Sequence, residues 1–233
     1  MLRSSPLEIY IGSCSIDRHW TNIWQNNASY TFFQITQDGV KSGSKYTVDN
    51  GLLFTDWDII TLQQASPKST EASHFGDLQN VIDHVKEKAP QAEIWWHMTW
   101  SYPNGSSGLR DLELTQMGMY EDIVSVVNST ILTNPDIARV IPVGTTIQNL
   151  RTSKLGDTLN RDSLHLNEGT GRYAAAMTWL AALTGADIDK ISWTPEAFSD
   201  TVANLPLVKE AVKNAMQTPY AVTQSAHPAE SAG

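Results

Sequence analysis

An aspartate and a histidine stand three residues apart in Arg161-Asp162-Ser163-Leu164-His165, on a polar stretch that continues as Leu166-Asn167-Glu168-Gly169 into a helical pattern. Such a pair can do acid–base chemistry. A carboxylate beside an imidazole orients the ring and stabilises its charged form, and the ring takes a proton from a nucleophile. Asp162 and His165 therefore read as two members of a hydrolytic triad. The plainer reading is a helix-terminal Asp, whose oxygen caps free backbone N–H groups, beside a surface His.

The remaining member, a serine on a strand-to-helix turn, is harder to find. Ile11-Gly12-Ser13-Cys14-Ser15 is a strand–Gly turn of the general kind that exposes a hydroxyl and supplies backbone donors. Ser15 is thus the fallback nucleophile, with helix N-capping as its competing role. Cys14 reads as a packed thiol, because a reactive one needs a base and positive surroundings. Gln63-Gln64 end an apolar run, and buried amides demand partners. In Trp95-Trp96-His97-Met98-Thr99-Trp100, alternation sends Trp96 to the face opposite Trp95 and His97. The run is either core strand or the wall of a substrate cleft, where His97 and Trp100 would suit a sugar ring. His19 and Arg151 have two readings as well, cleft lining or solvated surface. The histidines lack metal-ligand spacing, so no metal or other cofactor is expected.

These side chains need a scaffold, and the pattern supplies one. Residues 7–11 read as a short buried strand, 16–28 as a helix with Trp20 and Trp24 on one face, and 30–36 and 43–48 as a surface hairpin joined through Gln37-Asp38-Gly39. Strands follow at 58–63, 93–98 and 139–143. Helices are expected at 75–88, with Leu78, Val81, Ile82 and Val85 on one face, and at 116–130, 169–183 and 205–215. A loop fills the chain between the last strand and Arg161. Strands alternating with helices imply parallel strands with crossover helices, an α/β fold in the form of a three-layer α/β/α sandwich with a mostly parallel sheet. Ligands of such sheets bind beyond the carboxyl ends of the strands. Gly12-Ser13-Cys14-Ser15, Gln63-Gln64, Thr99-Trp100-Ser101 and Gly144-Thr145-Thr146 hold those places. One domain over 1–216, with the hairpin inserted near 30–50, and a frayed tail over 217–233 complete the outline.

Composition narrows the function. With 233 residues, 41% hydrophobic and 18% charged, the chain can bury a full core. A formal charge of −9 argues against nucleic acid and anionic membrane surfaces as partners. The single cysteine excludes an internal disulfide and a multi-cysteine metal site. No run approaches the roughly 18 apolar residues that span a bilayer. The start, Met-Leu-Arg-Ser-Ser-Pro, has no apolar core of a signal peptide.

Five segments in order resemble the SGNH hydrolases, a superfamily of lipase-like esterases with an SGNH or flavodoxin-like sandwich, and a branch of it without known function. They are Ile11-Gly12-Ser13-Cys14-Ser15-Ile16-Asp17-Arg18-His19-Trp20, Asp56-Trp57-Asp58-Ile59-Ile60-Thr61-Leu62-Gln63-Gln64-Ala65-Ser66, Trp96-His97-Met98-Thr99-Trp100, Ile147-Gln148-Asn149-Leu150-Arg151-Thr152 and Asn160-Arg161-Asp162-Ser163-Leu164-His165-Leu166. The resemblance implies Asp162 and His165 as the Asp-x-x-His block. It implies Gly12 and Ser13 backbone N–H groups, where the branch has Gly-Gly, and the Gln64 amide, where the superfamily has Asn, as oxyanion donors. Gln63, His97, Trp100 and Arg151 would line the substrate site. The implied substrate is a small acyl or carbohydrate ester, and the implied location extracytoplasmic. A strand, a Gly-Asn-Ser turn and a helix, on the order of 30–40 residues, would precede the Gly12 segment in that branch. Only six residues stand before Leu7, so the resemblance implies a chain begun at an internal Met that lacks the nucleophile and is poorly stable or inactive unless a partner chain supplies the strand. The other class of function is a non-catalytic carbohydrate-binding domain that kept its cleft.

Overall fold

The structure, a computed structural model, describes residues 6–229. The chain divides into two compact units. One holds Met1–Trp96 with Ser129–Arg139, the other His97–Asn128 with Val140–Gly233.

In the first unit, β1 (Leu7–Tyr10) leads through a turn to α1 (Ile16–Trp24), and β2 (Tyr30–Thr36) and β3 (Gly39–Tyr46) form a hairpin. These strands make an antiparallel sheet of order β1-β2-β3, with Leu7 opposite Gln34 and Tyr10 opposite Thr31. The reading of residues 7–11 as a buried strand of the parallel sheet is therefore corrected. Leu7-Glu8-Ile9-Tyr10 alternates apolar and polar, and its burial alternates with it, the mark of a strand wet on one face. The hairpin pairs Thr36 with Gly39 around Gln37-Asp38, and Gly39 has φ +119°, a conformation side chains resist. The second hairpin strand consequently starts earlier than the expected residue 43. It also ends earlier, because Thr47 caps α2 (Val48–Leu52): its Oγ1 accepts from Asn50 N while Asn50 Oδ1 accepts from Thr47 N.

β4 (Ile59–Leu62), α3 (Leu78–Lys88) and β5 (Glu93–His97) follow as a parallel crossover unit, with Ile59 opposite Glu93 and Leu62 opposite Trp96. β6 (Ile137–Ile141) lies beside β5, completing a parallel sheet of order β4-β5-β6. The α3 face Leu78, Val81, Ile82 and Val85 is buried as its spacing predicts, each side chain contributing about 1.5–3 kcal/mol. A mixed α/β architecture with a parallel sheet is thus present.

The second unit is helical. α4 (Ser107–Asp111) and α5 (Gln116–Val126) come first, and α5 runs on into a π-helical turn. The chain then returns through the end of β6 into α6 (Val143–Arg151), α7 (Thr170–Thr184) and α8 (Ser199–Gln217). α6 replaces the loop expected after residue 143. It packs against both α7 and α8, and every one of its residues is buried. α8 starts well before the expected residue 205, because the helix tolerates Pro206 in its interior.

The tail, up to residue 229, is tied to the helices by hydrogen bonds. Thr223 N donates to Asn149 Oδ1 (2.7 Å), Ser225 N to Thr152 Oγ1 (2.8 Å), and Glu210 accepts from Ser225 Oγ (2.6 Å) and Ala226 N (2.7 Å). This polar segment is held by side-chain acceptors on α6, at its C-terminal cap and on α8. Residues 230–233 lie outside the described part. Glu210→Ala is expected to cost about 1–2 kcal/mol by removing both acceptors. Urea unfolding should show that loss, and limited proteolysis should cut within 218–229 faster than in the parent. Among the described residues no helix is long and apolar enough to cross a membrane.

Candidate functional site

The site is built from α6 outward. Its last residue, Arg151, carries a guanidinium that is only 4% exposed. Nη1 donates to Ser101 Oγ (2.8 Å) and Gln148 Oε1 (3.0 Å), Nη2 to Ser101 O (3.0 Å) and Asn160 Oδ1 (3.0 Å), and Nε faces Asp157 Oδ1 at 2.9 Å. Burial lowers the guanidinium to about 10, against the pull of Asp157, and it stays charged at neutral pH. Arg151 is neither solvated surface nor free to contact a ligand. The planar fork ties three segments together, as Arg does wherever fixed geometry is needed.

One of those segments is the Asp162–His165 loop. A bridge between Asn160 and Leu166 closes it, with Arg161 N donating to His165 O at 2.9 Å and Asn167 N to Leu159 O at 2.8 Å. Inside the loop, Asp162 Oδ1 accepts from Leu164 N (2.8 Å) and His165 N (2.6 Å). Its Oδ2 lies 2.9 Å from His165 Nδ1. Backbone N–H groups of His165 and then Leu164, followed by the imidazole, hold this carboxyl well below the usual carboxylate range. A carboxylate fixed on Nδ1 places the ring proton there and leaves Nε2 as the basic nitrogen. The His165 side chain is 57% exposed and that of Asp162 47%, so the pair is open to a solute. Arg161 Nε stands 3.6 Å from Asp162 Oδ2, but its Nη1 is engaged by Glu168 at 2.8 Å.

Trp100 and His97 belong to the same unit. The Trp100 indole N–H donates to Leu164 O at 2.9 Å, so its one donor serves the loop. His97 is buried, and its Nδ1 accepts from the Trp179 indole at 2.9 Å. Burial pushes the ring down to about 4, which keeps it neutral. Of the two readings of His97, core strand and cleft wall, its surroundings are those of the core.

The other residues singled out in the sequence lie in the first unit. Gly12 and Ser13 form an exposed turn, and Ser13 has φ 53°, in the left-handed region where the resemblance implies a second glycine. Ser15 precedes α1 and is buried; its Oγ lies 3.4 Å from Lys68 Nζ, which also pairs with Asp17 at 3.0 Å. As an N-cap its side chain accepts from no backbone N–H of the helix; its hydroxyl bonds the Asp17 carboxylate instead. The capping task falls to Gln64, whose Oε1 accepts from Ile16 N (3.0 Å) and Ala65 N (2.9 Å) while Nε2 donates to His74 O (2.9 Å). Gln64 thus performs the structural role open to the pair, and Gln63 is exposed. His19 is half-buried, stacked on Tyr30 with Nδ1 2.9 Å from its hydroxyl, and burial lowers it to about 4. Burial raises the Cys14 thiol, which fits a packed group.

Sequence reasoning missed Asn160, Ser101, Gln148 and Asp157 as partners of Arg151. Three of them fall inside or beside segments already singled out, but only the fold shows that they meet. Among the described residues no cluster of His, Cys, Asp and Glu could hold a metal ion.

Fold and site together define a mixed α/β protein with a solvent-facing Asp–His pair. The chain belongs to the DUF4886 family, described as a domain of unknown function, whose family model matches residues 6–215. It is similar to the crystal structure of a DUF4886 family protein from Bacteroides uniformis, solved at 1.50 Å resolution. The identity is 33%, the TM-score 0.85, and the match covers 94% of this chain and 85% of that one. No curated protein matches the chain.

Proposed function

We propose that the chain is an ester hydrolase scaffold for small acyl or carbohydrate esters, with His165 as general base and then acid and Asp162 as its orienter. The observation that carries this reading is the Asp162 carboxylate, fixed by two backbone N–H groups and bonded to Nδ1, behind a solvent-exposed ring whose Nε2 meets no partner among the described residues. As water adds to the ester carbonyl, Nε2 accepts its proton, and Asp162 stabilises the imidazolium that forms. The same proton then passes to the leaving alkoxide. The five ordered segments that resemble those of SGNH hydrolases support the reading, and with it a three-layer sandwich around the parallel sheet. The buried Ser15, held by Lys68, is the weaker choice for the attacking group.

Hydrolysis of p-nitrophenyl acetate tests this. Asp162→Asn should lower kcat/KM about tenfold to a hundredfold, less than in an enclosed triad because water already screens the pair. His165→Ala should remove the remainder, and Ser15→Ala should leave it in place. Equal rates in the parent chain and His165→Ala would defeat the proposal.

A further inference from the structure

We infer that Arg151 and Trp100 are positioning residues that hold the Asp162–His165 pair in register, an inference that rests on the hydrolytic reading for its consequence but not for its geometry. Two exposed side chains on a loop do not keep a fixed geometry by their mutual attraction, which solvent weakens and side-chain entropy opposes. Here the constraint comes from the peptide group that joins Leu164 to His165. Its N–H donates to Asp162 Oδ1 at 2.6 Å. Its carbonyl accepts from the Trp100 indole at 2.9 Å and from Asn160 Nδ2 at 3.3 Å. A peptide group is planar, so bonds at both its polar ends set the direction from which the His165 side chain leaves the backbone. The Asn160 amide is itself oriented, because its Oδ1 accepts from Arg151 Nη2 at 3.0 Å. The line therefore runs from a buried cation through an amide and a carbonyl to the ring. For Arg151 this replaces the reading as a substrate contact; Trp100 takes on the positioning role with its N–H, while its partly exposed ring keeps the stacking reading. The only donor of Trp100 is taken, and the Arg151 fork is enclosed by Ser101, Gln148, Asn160 and Asp157.

Trp100→Phe keeps the ring and removes the donor, Asn160→Ala cuts the relay, and Arg151→Lys keeps the charge but loses the fork. Amide hydrogen exchange by NMR reads the effect directly. The His165 and Leu164 amides should exchange about tenfold faster in Trp100→Phe and Asn160→Ala, while the Ala181 and Val212 amides of α7 and α8 stay as in the parent. With p-nitrophenyl acetate, kcat should fall about tenfold at an unchanged KM. Unchanged exchange at His165 and Leu164 in both variants would overturn the positioning role even if ester turnover is present. If the parent chain turns over no ester, the hydrolytic reading fails and the exchange rates still decide the geometry. Arg151→Lys adds a graded case. Should it unfold, the two loop variants carry the test.

Discussion

Acidification from pH 7.5 to pH 4 is expected to remove about 3 kcal/mol of stability through each of two histidines, one in each unit, a large part of the stability of an ordinary domain. His19 and His97 are both lowered to about 4 from 6.5, and in both the first cause is burial of a ring that must shed its hydration to be charged. The unfolded chain therefore binds a proton at each site from about pH 6.5 downward, while the folded chain holds off until about pH 4. The stabilising contribution is complete above pH 6.5 and is lost as pH falls towards 4. The hydrogen bonds agree with the direction. Trp179 has only a donor to give, so the His97 Nδ1 that it meets must be unprotonated. The Tyr30 hydroxyl accepts from Asn22 Nδ2 at 3.1 Å and is free to give its own proton to His19 Nδ1. Around His19, Arg18 pushes in the same direction as burial, and Asp17 opposes.

Other groups change this slope little. Burial raises the Glu8 carboxyl, which gains stability on acidification and offsets a part of the loss. Asp17, Asp136, Asp162 and Asp200 are all lowered, so they add to the loss only at the acid end, below about pH 4. Urea unfolding midpoints measured from pH 7.5 to 4.5 check the expectation. His97→Gln keeps an acceptor for Trp179 but cannot titrate, and its midpoint should fall with a visibly shallower slope. If it follows the parent curve across that range, His97 is not the group responsible.

The sequence conveyed the dyad because its chemistry is local. Asp162 reaches its backbone donors and its imidazole within three residues, and spacing is all that such a turn needs. It also conveyed the crossover unit, since α3 declares its buried face by period. α6 was not legible for the opposite reason. Val143-Gly144-Thr145-Thr146-Ile147-Gln148-Asn149-Leu150-Arg151 contains a glycine and two β-branched threonines, and a helix buried on every side has no polar face to reveal its period. Its polar residues are satisfied from afar: Thr145 by Tyr120 and Pro219, Thr146 by Thr178, Arg151 by Ser101 and Asn160. The roles of Arg151 and Trp100 were hidden in the same way, because their partners stand 50 and 64 residues distant. β1 is a different case. Its alternation was on view in Leu7-Glu8-Ile9-Tyr10, and the period of two already argued against a strand buried on both faces.

Gly144→Ala is expected to lower stability by about 2–3 kcal/mol, and the reason is a backbone contact that no side chain can relieve. β6 ends at Ile141 and α6 begins at Val143, with Met98 latched between them: Met98 N donates to Ile141 O at 3.1 Å and Gly144 N to Met98 O at 3.0 Å. A methyl group on Gly144 would stand 2.1 Å from the Thr99 carbonyl oxygen and 3.1 Å from Met98 Cε. The Met98 side chain can rotate aside, but the carbonyl cannot. Two residues on, Ser101 O is held by Arg151, which fixes that segment from the other side. α6 would have to retreat as a body into α7 and α8, and it has no exposed face towards which to move. Overpacking of this kind costs about 3 kcal/mol or somewhat more. The better helix propensity of alanine and the smaller entropy of its unfolded chain return only about 1 kcal/mol. Gly76→Ala is the control, since nothing lies within 4 Å of a methyl group there, and it should be neutral or slightly stabilising. In thermal unfolding Gly144→Ala should melt about 5–10 °C below the parent, in line with about 2–4 °C per kcal/mol for a chain of this size. Displacing Thr99 also displaces Trp100 and Ser101, so the exchange of the His165 amide should quicken with it. A Gly144→Ala chain as stable as Gly76→Ala would show that the contact is yielding, and that the segment between β5 and α6 is not the fixed support of the Asp162–His165 loop.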